Sequence, residues 1–195
     1  MEMIRAFVAI ELDDALKAAL QRVQTRFKRD PRSQAGRWVS PDSIHLTLQF
    51  LGDVPTQRVD EIAQAIARGC AGVEPFSIHL AQPGFFPNAR NLRVVWVGVE
   101  GDMSALLRLQ GAVQSEIEGI GFTPEKRGFQ PHLTLARVRD QAGTFEREGM
   151  AKLVSAVQVD SCASMQVHEV SLIRSELRPS GPEYTHLAAL ALTTA

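Results

Sequence analysis

Pro131-His132-Leu133-Thr134-Leu135 is the stretch that decides how this chain is read, because the chain has already used it once. His45-Leu46-Thr47-Leu48 stands 87 residues earlier. In each copy a His and a Thr stand two apart inside an apolar run. Successive side chains of a strand point to opposite faces, so residues i and i+2 share one face. Each copy therefore sets an imidazole beside a hydroxyl and turns its leucines the other way, toward a core.

Working outward, the elements around the two copies repeat as well. Residues 5–10 read as a buried strand, and Asp13 or Asp14 caps a helix running to about Arg29. A polar loop over 30–36 precedes the first motif strand, 44–51. Pro55 opens a helix ending near Gly69. Residues 76–80 form a further strand, with a loop over 82–87. From Arg93 the order returns: a strand over 93–99, a helix over 103–120 capped by Asp102, the second motif strand over 131–138, and a helix over 144–156. Strands over 165–174 and 185–192 close the chain. First strand, motif and following helix all recur at nearly the same offset, which implies an internal duplication. The expected fold is α+β, with two lobes related by a pseudo-two-fold axis. Each lobe is a mainly antiparallel sheet with helices packed outside, and the active site lies in the cleft between them. Residues 1–195 form a single bilobal domain on this reading, with halves at about 1–90 and 91–195. The axis brings His45 to face His132, and Thr47 to face Thr134.

Composition narrows the setting. Of 195 residues 45% are hydrophobic and 22% charged, and the net charge is −1. No overall field draws such a protein to nucleic acid, so any grip on a phosphate must be local. The two cysteines, Cys70 and Cys162, lie far apart and make neither a disulfide framework nor a zinc cluster, which suits a reduced compartment. The chain starts without a signal-peptide pattern, and no segment approaches ~18 uninterrupted apolar residues. A cytoplasmic monomer with no membrane segment is expected.

Paired histidines suit a reaction that removes one proton and delivers another. Imidazole has an ordinary pKa of about 6.5, so near neutrality one ring can be neutral while its twin is protonated. In-line displacement at phosphorus fits: one His takes a proton from water and the other protonates the departing alkoxide. Thr47 and Thr134 can hold the non-bridging oxygens as charge grows on them. Neither metal nor cofactor is required if the ester is strained, as a five-membered cyclic phosphodiester is. A metal pair is the sharper rival, but neither motif carries a Cys or carboxylate at ligand spacing, and a zinc site needs three or four protein ligands. His79, His168 and His186 have no twin and read as structural or surface residues.

The doubled motif comes with flanks: Arg5-Ala6-Phe7-Val8-Ala9-Ile10, Trp38, Gln49-Phe50-Leu51-Gly52-Asp53, Gly84-Phe85-Phe86-Pro87, Ala136-Arg137, Leu172-Ile173-Arg174-Ser175-Glu176-Leu177 and Gly181-Pro182-Glu183-Tyr184. Together they resemble the 2H phosphoesterase superfamily, and within it the bacterial and archaeal RNA 2',3'-cyclic phosphodiesterases, long called 2'-5' RNA ligases. The resemblance covers essentially the whole chain. It implies an enzyme that hydrolyses a terminal 2',3'-cyclic phosphate on RNA to a 2'-phosphate without metal, with RNA 3' ends or oligonucleotides as partners. It also implies His45 as proton donor to the leaving 3'-oxygen and His132 as proton acceptor from water. The residues by themselves leave that assignment open, since the site is nearly symmetric.

The resemblance further implies that Phe50 and Arg137, each five residues after its His, meet the nucleotide. Strict alternation would put both on the back face, so a bulge or strand end is needed before them. Arg127, in the loop before the second motif, can reach a phosphate, and Phe86 and Tyr184 can stack on a base. Three other readings stay open: the same chemistry run backward as an ATP-independent 2'-5' ligase, a non-catalytic binder of RNA ends, and an enzyme for another cyclic phosphate.

Overall fold

Alternation in the first strand sorts the chain into two faces. The computed structural model describes residues 2–123, 128–159, 163–178 and 181–194, and its first element, β1 (Met3–Glu11), sends Ile4, Ala6, Val8 and Ile10 into the main core. Phe7 and Ala9 point the other way and pack with Ile173 and Tyr184 in a separate small cluster. The same division holds in the motif strands β3 (His45–Pro55) and β6 (His132–Val138). Leu46, Leu48, Leu133 and Leu135 are buried in the main core, and the His and Thr between them are half-buried on the open face.

Among the described residues four α-helices cover the core face: α1 (Asp14–Lys28), α2 (Val59–Cys70), α3 (Met103–Gly119) and α4 (Thr144–Ala156). Leu16, Leu20, Val23 and Phe27 of α1 are buried, as their helical spacing requires. The caps read from the sequence are made: Asp13 accepts from the Leu16 N–H at 2.8 Å and Asp102 from the Ala105 N–H at 2.9 Å.

The remaining strands are β2 (Gly36–Trp38), β4 (Phe76–Phe86), β5 (Val94–Gly101), β7 (Ser164–Val167), β8 (Glu169–Arg178) and β9 (Gly181–Ala191). Among the described residues the strands join in one sheet, in the order β7-β4-β5-β6-β3-β1-β8-β9, with β2 also beside β6. Every pair is antiparallel. The order is a palindrome about β6 and β3: β5 answers β1, β4 answers β8, and β7 answers β9. β4, from the first half of the sequence, lies beside β5, whereas β8, with β9 beyond it, lies beside β1, so the halves exchange strands. The fold is a mixed α+β arrangement of an antiparallel sheet with helices.

The sheet must curl. In a flat sheet β7 and β8 would stand six strand spacings apart, about 29 Å. Only His168 separates them in the chain, which limits Val167 and Glu169 to about 7 Å.

Four details differ from the sequence reading. The first motif strand runs on from 51 to Pro55, so Pro55 ends a strand and α2 begins only at Val59. The loop expected over 82–87 is mostly strand, because β4 runs on to Phe86 past a register shift between Leu80 and Pro83. Proline lacks the N–H a regular ladder uses, and the irregularity accommodates it. The single strand expected over 165–174 is two strands divided at His168. Arg37-Trp38 is a strand of its own, paired with β6 opposite Arg137 and Ala136.

At the centre, β3 and β6 share the bridged pair Leu46 and Leu133, both fully buried. Leu46→Ala is expected to destabilise the protein by about 2–5 kcal/mol, measured as a lowered urea midpoint with an unchanged m-value.

Candidate active site

The pairing of Leu46 with Leu133 fixes where the motif side chains fall. Antiparallel register extended by one residue each way sets His45 opposite Thr134 and Thr47 opposite His132. On this register each imidazole falls beside the other strand's hydroxyl, and the two histidines occupy diagonal positions, whose backbones stand about 7–8 Å apart on a regular antiparallel ladder. The gap suits one phosphate. Both rings are held alike: His45 Nδ1 lies 3.1 Å from the Ser43 carbonyl oxygen, and His132 Nδ1 lies 2.6 Å from that of Gln130. A carbonyl can only accept, so Nδ1 carries a proton in each ring. Nε2 is left as the exchanging atom.

Phe50 and Arg137 reach the same face through the bulge their positions demanded. Opposite β1, Gln49 pairs with Val8 and Thr47 with Ala9, so Leu48 is the extra residue. Opposite β5, Ala136 pairs with Val95 and Thr134 with Trp96, so Leu135 is the extra residue. These are equivalent positions in the two copies. Each bulge puts two consecutive residues on the buried side, Leu48-Gln49 and Leu135-Ala136, which returns Phe50 and Arg137 to the exposed side. The Leu135 carbonyl accepts from the Val39 N–H at 2.9 Å and from the Gln24 amide at 3.2 Å.

Aromatic rings wall the pair unequally. Phe7 stacks on His45 with centroids 4.5 Å apart, and Tyr184 meets the same imidazole edge-on at 5.2 Å. Phe50 lies 6.2 Å from Phe7. On the other side Phe86 meets His132 edge-on at 5.2 Å, and Trp96 lies 6.2 Å away. Gly84 makes room for that indole, since a Cβ there would come within 2.3 Å of it. Burial pulls the His45 imidazole below its ordinary value, against the pull of the Ser43 carbonyl and the Glu11 carboxylate. Burial pushes the Tyr184 phenol up, with the Arg137 charge opposing it; Arg137 is thus within electrostatic reach of the ring on His45.

Of the residues read from the sequence, His45, Thr47, His132, Thr134, Phe50, Arg137, Phe86 and Tyr184 share this neighbourhood. Arg127 lies outside the described residues. Among the described residues no three His, Cys, Asp or Glu side chains gather as they would round a metal. Four neighbours went unread. Phe7 and Glu11 follow the alternation of β1, and that parity was the available signal. Trp96 needed the β5–β6 register. Arg37 stands opposite Arg137 on β2, and nothing local in the sequence reveals that pairing. Both arginines are exposed, and like charges directly opposite repel, so the two make a ready anion site.

Comparison with known proteins identifies the family. The chain belongs to the 2'-5' RNA ligase superfamily, whose family model matches residues 9–179. It is 39% identical to a protein of Methanothermobacter thermautotrophicus named RNA 2',3'-cyclic phosphodiesterase, over 97% of this chain and 99% of that one. A relative of the same name from Archaeoglobus fulgidus is 31% identical over 94% of this chain and 98% of its own. The crystal structure of E. coli LigT in complex with 3'-AMP superposes with a TM-score of 0.77 at 27% identity, covering 98% of this chain and 99% of that one.

The His45 ring is expected to titrate below the ordinary imidazole value, and Phe7→Ala, which readmits water, is expected to raise it. Histidine Cε1–H shifts followed by NMR against pH check both.

Proposed function

We propose that this protein is an RNA 2',3'-cyclic phosphodiesterase, hydrolysing a terminal cyclic phosphate to a 2'-phosphate with His45 as proton donor and His132 as proton acceptor. The observation that carries the reading is the matched pair of imidazoles on neighbouring strands, each pinned at Nδ1 by the carbonyl two residues earlier. The names of the full-length relatives supply the substrate class.

With the cyclic phosphate between the motifs, His132 Nε2 accepts a proton from water as its oxygen attacks phosphorus. The bond from phosphorus to the 3'-oxygen breaks in line, and His45 Nε2–H protonates that oxygen. The products are a 3'-hydroxyl and a 2'-phosphomonoester. Thr47 and Thr134 donate to the non-bridging oxygens, where charge accumulates in the transition state. Each Nδ1–H bond to the backbone keeps its ring oriented through the change of protonation, which removes a reorganisation step. Phe50, Phe86 and Tyr184 offer faces for a base. Arg37 and Arg137 draw the RNA backbone to a protein whose net charge of −1 offers no general attraction.

The palindromic strand order supports treating the chain as one domain of two duplicated halves. Among the described residues no helix is long and apolar enough to cross a membrane. Cys70 is free and buried, its thiol pushed up to about 11 by that burial, which suits a reduced setting. We place the protein in the cytoplasm as a monomer acting without metal.

His45→Ala or His132→Ala is expected to lower turnover of a 2',3'-cyclic-ended oligoribonucleotide roughly 10²- to 10⁴-fold, and a chelator is expected to change nothing. Phosphorus NMR of the products distinguishes the 2'-phosphate from its 3' isomer and from a joined strand. Arg37→Ala is expected to weaken RNA binding and flatten the slope of log affinity against log salt by about 0.7.

A further inference from the structure

The two histidines share a backbone but not their neighbours. Register places Glu11, at the end of β1, opposite His45. The equivalent place beside His132 is filled by Gly98, where a Cβ would meet Ala81 at 3.2 Å and the Gln82 carbonyl oxygen at 3.3 Å. One histidine thus has a carboxylate across the strand, and its twin has a position with little room for any side chain.

Glu11 is itself held. Its Oε2 accepts from the Ser171 hydroxyl at 2.9 Å, and His186 Nε2 lies 3.3 Å from the same oxygen and 3.1 Å from the Ser171 oxygen. Ser171 is buried on β8, and His186 comes from β9, so three strands converge to fix one carboxylate beside His45. By sequence His186 reads as a structural or surface residue with no twin in the other half; in the fold it belongs to this cluster, which has no counterpart beside His132 among the described residues.

We propose that Glu11, anchored by Ser171 and His186, is a positioning residue that makes His45 the proton donor of the pair by stabilising its imidazolium. This rests on the hydrolase reading above and deepens it. Among the described residues, the groups facing His45 are Glu11 from β1, Tyr184 and (through Glu11) His186 from β9, and His132 and Arg137 from β6. Of these Glu11 supplies the negative charge. Burial lowers the ring's hold on its proton, and Glu11 works against that together with the Ser43 carbonyl. His132 has Gly98 and no carboxylate opposite it. The cluster is partly open to water, so added salt weakens its effect.

Glu11→Gln keeps the size of the side chain and its bond to Ser171 while removing the charge. Histidine titration by NMR, which needs no substrate, should then move His45 to lower pH. The alkaline limb of kcat/KM against pH, set by loss of the donor's proton, should move the same way, with activity above neutrality falling roughly threefold. Ser171→Ala, which loosens the carboxylate, should give a smaller shift of the same sign. A His45 titration that stays put or rises in Glu11→Gln overturns the proposal, as does a shift confined to His186. If no cyclic-ended RNA is turned over at all, the hydrolase reading fails, and the NMR titration still decides whether Glu11 acts on His45.

Discussion

A single bridged pair, Leu46 with Leu133, holds the centre of this molecule. These leucines pack downward among the helices, and their strands run antiparallel through that point, so the residues on either side are committed to the opposite face. Each histidine lands beside the other strand's threonine. Slipping either strand by one residue would drive its own imidazole into the core and lift its leucines into water. Burial of apolar surface on one side therefore enforces the polar arrangement on the other.

Around that point the backbone is symmetric and its dressing is not. Both copies carry the bulge that brings a fifth residue back to the open face, and both pin Nδ1 to a carbonyl. The side chains supplied by neighbouring strands then diverge: Phe7, Tyr184 and Glu11 surround one imidazole, Phe86 and Trp96 the other. A duplicated fold fits a displacement at phosphorus, because attack and departure occur on opposite sides of one centre. Unequal neighbours are what allow two identical residues to be proposed for opposite tasks.

Much of this was legible in the chain itself. The repeat, the alternation of His45-Leu46-Thr47-Leu48 and the capping aspartates Asp13 and Asp102 are local signals, and local signals survive into structure. The need for a bulge before Phe50 and Arg137 could even be derived from parity. Which strands become neighbours could not, since β4 and β8 cross between halves and no pattern within either strand encodes its partner. Arg37 was missed for that reason, and Glu11, which shares the parity of Phe7 on β1, still needed the β1–β3 register to set it against its neighbour. Each looks like an ordinary charged surface residue until the register sets it against His45 or Arg137. The strand 165–174 hides its division because the break is only a shift of phase: the apolar positions move from Met165 and Val167 to Val170 and Leu172 across His168-Glu169, where the chain changes neighbours.

That crossing at His168 has a mechanical meaning. The residue ties one edge strand to a strand next to the opposite edge, and its carbonyl also accepts from the Leu192 N–H at 2.7 Å, just beyond β9. A sheet fastened in this way behaves like a hoop closed with a clasp: neither side can swing outward unless the clasp gives. The spacing between the two histidines is then a property of the covalent chain and not of a hinge. Adjustment to a nucleotide would fall to side chains and rim loops, and a cut at the clasp would slacken the whole frame without touching a residue that meets the phosphate.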